Sequence, residues 1–156
     1  MKTKFCLVLS VLLLAGCGSS APAAKKEETK NFITKGTALL KQGNVAEAVK
    51  VFQEAIARNP RDTQAPFILA QLFMQTGNYG PAIGYFTKVT QLDPENGQAY
   101  LLLGGCYDLL GRKDMAIENV QKSVGIFQKQ RDEQNFKQSV AILHTLVELQ
   151  GQPKTN

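Results

Sequence analysis

Displaced by 34 residues against itself, the sequence falls into register with its own structural punctuation. Gly43, Gly77 and Gly111 coincide, as do Ala48, Ala82 and Ala116; Phe52 and Phe86 align with Val120, and Pro60 and Pro94 with Gln128. Upstream in each unit stand Phe32/Pro66/Tyr100, then Gly36/Ala70/Gly104, then Leu39/Phe73/Tyr107. A period of this length marks a supersecondary unit that cannot bury its apolar face alone and must stack on its neighbours.

The spacing within a unit predicts what that element is. Phe32-Gly36-Leu39, Pro66-Ala70-Phe73 and Tyr100-Gly104-Tyr107 lie at i, i+4, i+7, one stripe of a helix. The small residue in mid-stripe, like Ala48, Ala82 and Ala116 on a following helix, lets two helices approach closely. Gly43, Gly77 and Gly111 stand where the first helix ends and a residue with positive φ is wanted. Pro60 and Pro94 stop the second helix and disfavour α geometry in the residue before them. Each unit is therefore expected to be helix, tight turn, helix. Three departures are expected to show: Lys35 replaces Leu69 and Leu103 and leaves the first unit more exposed, Pro66 sits in a first turn where its missing N–H costs little, and Gln128 lets the last second helix run on toward Gln130.

This pattern resembles the tetratricopeptide repeat, and the third copy matches best, with Tyr100-x-x-Leu103-Gly104-x-x-Tyr107. The resemblance covers about Thr29 to Gln130 as units 29–62, 63–96 and 97–130. It implies an all-α fold, a short right-handed α-solenoid of three helix-turn-helix units. Residues 131–150 then supply one more amphipathic helix, with Phe136, Val140, Leu143 and Val147 as its apolar stripe, flanked by Ile142, Leu146 and Leu149, and Lys137, Gln138, Thr145 and Glu148 opposite. That helix reads as a cap over the open end of the solenoid; the rival reading is a detachable partner-binding helix. Residues 151–156 are expected to form a disordered tail.

Before the repeats, residues 1–16 combine Lys2 and Lys4 with a short apolar run, Phe5–Ala15, broken only by Ser10. This is the pattern of a signal peptide, too short to span a bilayer that needs about 20 apolar residues. Leu14-Ala15-Gly16-Cys17 resembles the lipobox of bacterial lipoproteins, which implies cleavage before Cys17 and a multiply acylated anchor there, far stronger than one myristoyl chain. The alternative is an ordinary secretory signal cut after Ala21-Pro22-Ala23. Gly18 after the cysteine, by the same resemblance, implies the periplasmic face of an outer membrane. Residues 17–28 are expected to be the lipidated cysteine and a flexible tether.

Composition narrows function once the leader is set aside. Removing Lys2 and Lys4 lowers the formal charge from +5 to +3. Cys17 and Cys106 are too few for a disulfide scaffold, and the lone His144 leaves little for a metal cluster or a His-based nucleophile. No metal, cofactor, small-molecule substrate or catalytic residue is expected. His144 reads as an i,i+4 pair with Glu148, and Cys106 as a small buried hydrophobe. Lys25, Lys26, Lys30, Lys35 and Lys41 interleave with Glu27, Glu28 and Glu47, a solvated face rather than a nucleic-acid patch.

The first helices of stacked units line the inner face of such an array. One residue past the packing stripe lie Ile33, Thr37 and Leu40; Phe67, Gln71 and Met74; and Leu101, Gly105 and Asp108. Family members that hold the carboxylate tails of heat-shock chaperones carry Lys, Arg and Asn there, whereas these positions are mostly apolar or neutral. The stripe suits a partner helix or an extended apolar segment, unless it packs against the cap helix or the tether. The expected function is a non-catalytic lipid-anchored adaptor that holds or assembles envelope or periplasmic proteins; the alternative is a structural lipoprotein that self-associates.

Overall fold

A computed structural model describes residues 22–150, with side chains from 27 to 148. The leader at 1–16, Cys17, Leu149 and the tail at 151–156 lie outside the described residues or side chains. Seven helices follow in order: α1 (Pro22–Lys41), α2 (Val45–Arg58), α3 (Gln64–Gln75), α4 (Tyr79–Leu92), α5 (Gly97–Leu109), α6 (Lys113–Gln130) and α7 (Glu133–Gln150). Each packs against the next. The chain is an all-α solenoid of helix-turn-helix units, with no strand among the described residues.

The turns within units form as the glycines require. Gly43, Gly77 and Gly111 have φ of 79°, 75° and 72°. At each, two hydrogen bonds close the helix end: Asn44 N donates to Leu39 O at 2.9 Å and Gly43 N to Leu40 O at 3.0 Å, and Asn78 to Phe73 and Arg112 to Tyr107 repeat the first of these at 2.8 and 2.9 Å. Carbonyls that a helix end would leave orphaned are thereby satisfied.

Small residues bring the paired helices together. Gly36 and Gly104 are buried, and a Cβ on either would stand 2.6 Å from a Phe52 ring carbon or from Val120 Cγ2. Phe52, Ala55, Ala65 and Leu69 form the core between units one and two; Phe86, Val89, Ala99, Leu103 and Cys106 form the next. Lys35, in the place of Leu69 and Leu103, is exposed.

One boundary differs from expectation and one follows it. α1 begins at Pro22, so residues 22–28, assigned to a flexible tether, are helical. Ala23-Ala24-Lys25-Lys26-Glu27-Glu28 are strong helix formers behind a proline that the first turn tolerates. Exposed Glu28 also pairs with Arg58 of α2 at 3.1 Å. At the other end, α6 has 18 residues against 14 in α2 and α4, as the loss of proline at Gln128 allows. Its extra turn is held by Lys129 Nζ on the Glu95 carboxylate, at 2.9 and 3.0 Å, and by Gln130 Nε2 on the Glu95 carbonyl at 2.8 Å.

The long α6 changes the register of α7. In the first two junctions, Ala55 shares a core with Leu69 and Val89 with Leu103; in the third, the equivalent Ser123 bonds to Ser139. Ser139 thus stands 36 residues after Leu103, not 34. Ser139 and Leu146 are buried and Ile142 half-buried, whereas Val140 and Val147 are 40% and 49% exposed. The buried face of the cap is therefore not the stripe Phe136, Val140, Leu143 and Val147 that hydrophobicity alone selects.

Candidate protein-binding surface

The first helix of each unit presents its expected inner stripe unequally. Ile33 is 9% exposed and sits in the core with Phe52 and Leu69; Leu101 is 5% exposed under Leu146 of α7, beside Ala116 and Val120. Both were expected on the open face, and both are closed over by the neighbouring helix, because a residue one step past the stripe still points partly toward the next unit.

The remaining positions are half-buried. Thr37 donates its hydroxyl to the Ile33 carbonyl at 2.7 Å, so it offers mainly its methyl. Leu40 packs on the first core, and Phe67 meets the edge of Phe86 with ring centroids 5.7 Å apart. Gln71 and Met74 complete the second unit. In the third, Gly105 has open space where a Cβ would project, and Asp108 lines a cleft of about 250 Å³ with Ala141, Ile142, Thr145 and Leu146 of α7. The inner face is thus apolar or neutral in its first two units. It becomes polar at the C-terminal end, where Asp108 shares that cleft with Ala141 and Thr145 of α7. Sequence reasoning missed Ala141 and Thr145 by treating the cap helix apart from the inner face.

The other candidate groups are placed as follows. Exposed His144 lies 3.3 Å from Glu148 one turn on. Cys106 is buried and free, and burial pushes its thiol up to about 11, which removes thiolate reactivity near neutral pH. Lys122, 2.7 Å from Glu118, also lies over the Tyr100 ring at 5.8 Å. Among the described residues no group of three or more His, Cys, Asp and Glu side chains could hold a metal ion, and no helix is long and apolar enough to cross a membrane.

A family model described as tetratricopeptide repeat matches residues 33–96 and again 69–133. The TPR repeat-containing protein MJ0940 of Methanocaldococcus jannaschii is 32% identical over 111 residues, 67% of this chain and 35% of that protein. The chain spans still less, 8% and 7%, of two further curated relatives. Among solved structures, the type III secretion chaperone SycD of Yersinia enterocolitica, in complex with a peptide of the translocator YopD, superposes with a TM-score of 0.72 at 15% identity, covering 81% of this chain and 96% of that one. The first repeat domain of Spaghetti (RPAP3) bound to an HSP90 peptide gives 0.71 at 16% identity, over 86% and 100%.

Proposed function

The chain belongs to the tetratricopeptide repeat family, and on that premise we propose that it is a non-catalytic adaptor, lipid-anchored at Cys17, that holds an apolar segment of an envelope protein against its inner face. The observation that carries this reading is the surface of the first two units. Leu40, Phe67 and Met74 expose carbon, Thr37 and Gln71 are neutral, and no Lys or Arg stands among these five. Such a surface gains by removing apolar area from water and offers no cation to an acidic tail. Proteins of the same fold hold peptides, among them SycD in complex with a peptide of the translocator YopD. The anchor reading rests on Leu14-Ala15-Gly16-Cys17, and the periplasmic side of an outer membrane on Gly18.

Two substitutions and one chemical probe test it. A photo-crosslinking residue at Gln71 captures a discrete envelope protein in the intact cell, and Met74→Glu abolishes that capture while helicity is unchanged. The same residue at exposed Gln53 on α2 captures none. Equal capture from both positions overturns the groove. Leu101 is unsuitable for such a test, since a charge there would open the core under Leu146. Cys17→Ser releases the protein to the soluble fraction; membrane retention of that variant overturns the anchor.

A further inference from the structure

Five acids are half-buried among the described residues, and four of them are held by partners. Glu28 pairs with Arg58 at 3.1 Å, Asp62 accepts the backbone N–H groups of Gln64 and Ala65, Asp93 accepts from the Glu95 backbone and the Asn96 side chain, and Asp132 from Asn135. The carboxylate of Asp108 holds neither a hydrogen bond nor an ion pair, and Arg112, one turn on, does not reach it. Taking a carboxylate partly out of water without a partner costs free energy, and the fold gains no bond in return.

Asp108 stands 34 residues after Met74, at the same place in its unit, so the cleft of about 250 Å³ that it lines continues the stripe of Phe67, Gln71 and Met74. Gly105, one turn earlier, leaves open space where a Cβ would project, and a bound chain can therefore run close to α5. Ala141, Ile142 and Leu146 give the cleft walls of carbon. Thr145 Oγ1 donates its proton to the Ala141 carbonyl at 3.0 Å, which leaves the hydroxyl oxygen free only to accept. The two polar side chains of the cleft, Asp108 and Thr145, thus both accept, so whatever enters has to donate. Carbon walls, acceptors and one uncompensated negative charge fit a side chain with an aliphatic stem and a cationic head.

We infer that the protein segment held on the inner face carries a lysine or arginine, whose head reaches Asp108 and Thr145 between α5 and α7 while apolar neighbours in that segment lie on Phe67 and Met74. This rests on the inner face being a binding groove, and it supplies what the first two units lack. Their stripe of Thr37, Leu40, Phe67, Gln71 and Met74 holds no charge that could fix the direction or register of an apolar segment. One charge at the end of the stripe fixes both, since sliding or reversing the segment sets its cation on apolar surface and leaves Asp108 unpaired.

The test uses the full chain in mild detergent and a displayed library of short random peptides. Peptides enriched on the parent chain carry Lys or Arg beside apolar residues. Asp108→Asn, which removes no bond from the fold, keeps the apolar preference and loses the cationic one, and Asp108→Lys selects Asp or Glu in its place. For an enriched peptide, exchanging its cation for Gln weakens binding to the parent about tenfold and leaves binding to Asp108→Asn unchanged, the coupling that a double-mutant cycle isolates. A cationic preference that survives Asp108→Asn, or apolar peptides with no cationic preference, overturns the inference, and the groove stands if Met74→Glu abolishes their binding. Peptides that depend on Asp108 but bind Met74→Glu unchanged overturn the groove and keep the cationic cleft. No enrichment over detergent micelles alone overturns both.

Discussion

The hydroxyl oxygens of Ser123 and Ser139 lie 3.1 Å apart across the α6–α7 contact, and both side chains are fully buried. One hydroxyl donates to the other, where the equivalent positions of the two preceding junctions, Ala55 and Val89, lie in apolar cores with Leu69 and Leu103. Ser139→Ala leaves a buried hydroxyl without its partner and is expected to cost about 1–3 kcal/mol, and Ser123→Ala likewise, while the double alanine variant is close to neutral. Urea unfolding of the four proteins in a double-mutant cycle reads this. Additive losses would show that the two hydroxyls do not depend on each other.

A second expectation separates glycines that permit close approach from glycines that only weaken a helix. A Cβ on Gly36 would press to 2.6 Å on the Phe52 ring, which is fully buried and has no room to withdraw. Gly36→Ala is expected to destabilise by about 1–3 kcal/mol through overpacking. Gly84 and Gly125 stand inside α4 and α6 with nothing within 4 Å of a Cβ, so alanine there raises stability by about 0.5–1 kcal/mol through helix propensity. Denaturation midpoints of the three variants give opposite signs.

Most of the fold was legible because repetition supplies its own controls. One glycine in a helical pattern is ambiguous, but three at equal spacing specify the turn, and all three have positive φ. The absence of proline at Gln128 correctly foretold the longer α6. What escaped was register after that lengthening. Hydrophobicity assigns Val140 and Val147 to the buried face of α7, but the buried face is anchored by Ser139, a polar residue that earns its place only through Ser123 sixteen residues away. The inner face was misjudged at Ile33 and Leu101 for a related reason: their exposure depends on the neighbouring helix, which no stripe drawn on one helix contains.

Arg131 offers a third test, of turn chemistry. It has φ of 57°, and Asp132 N donates to Phe127 O at 3.0 Å while Arg131 N donates to Gln128 O at 3.2 Å, the bond pair seen at Gly43, Gly77 and Gly111. Here a side chain bears the strain that glycine avoids. Arg131→Gly is expected to stabilise by about 0.5–1 kcal/mol, net of the extra freedom glycine gains on unfolding, and Gly77→Ala to destabilise by about 1 kcal/mol. Thermal unfolding of both variants shows whether the signs oppose.

Cys106 should be chemically silent in the folded protein. Its thiol is buried and pushed up to about 11, so both access and thiolate are lacking at neutral pH. With Cys6→Ser and Cys17→Ser in place, a thiol-reactive disulfide reagent is expected to label no cysteine in native conditions and one in denaturant. Labelling at equal rates in both would place Cys106 at the surface.

The start of α7 ties the last helix to pH. Asp132 accepts the Asn135 side-chain N–H at 2.7 Å and the Asn135 backbone N–H at 3.1 Å, and those two bonds hold its carboxyl below the ordinary aspartate value of 3.8. A carboxyl depressed in the folded state contributes stability that is present above its unfolded pKa and lost as pH falls through the folded one. Asp132→Ala is therefore expected to unfold at a lower temperature than the parent at neutral pH. The gap should narrow once pH falls below the ordinary aspartate value, as the parent loses the contribution the variant never had. A gap that stays constant through that acid range would mean that the carboxylate form of Asp132 does not hold the helix start.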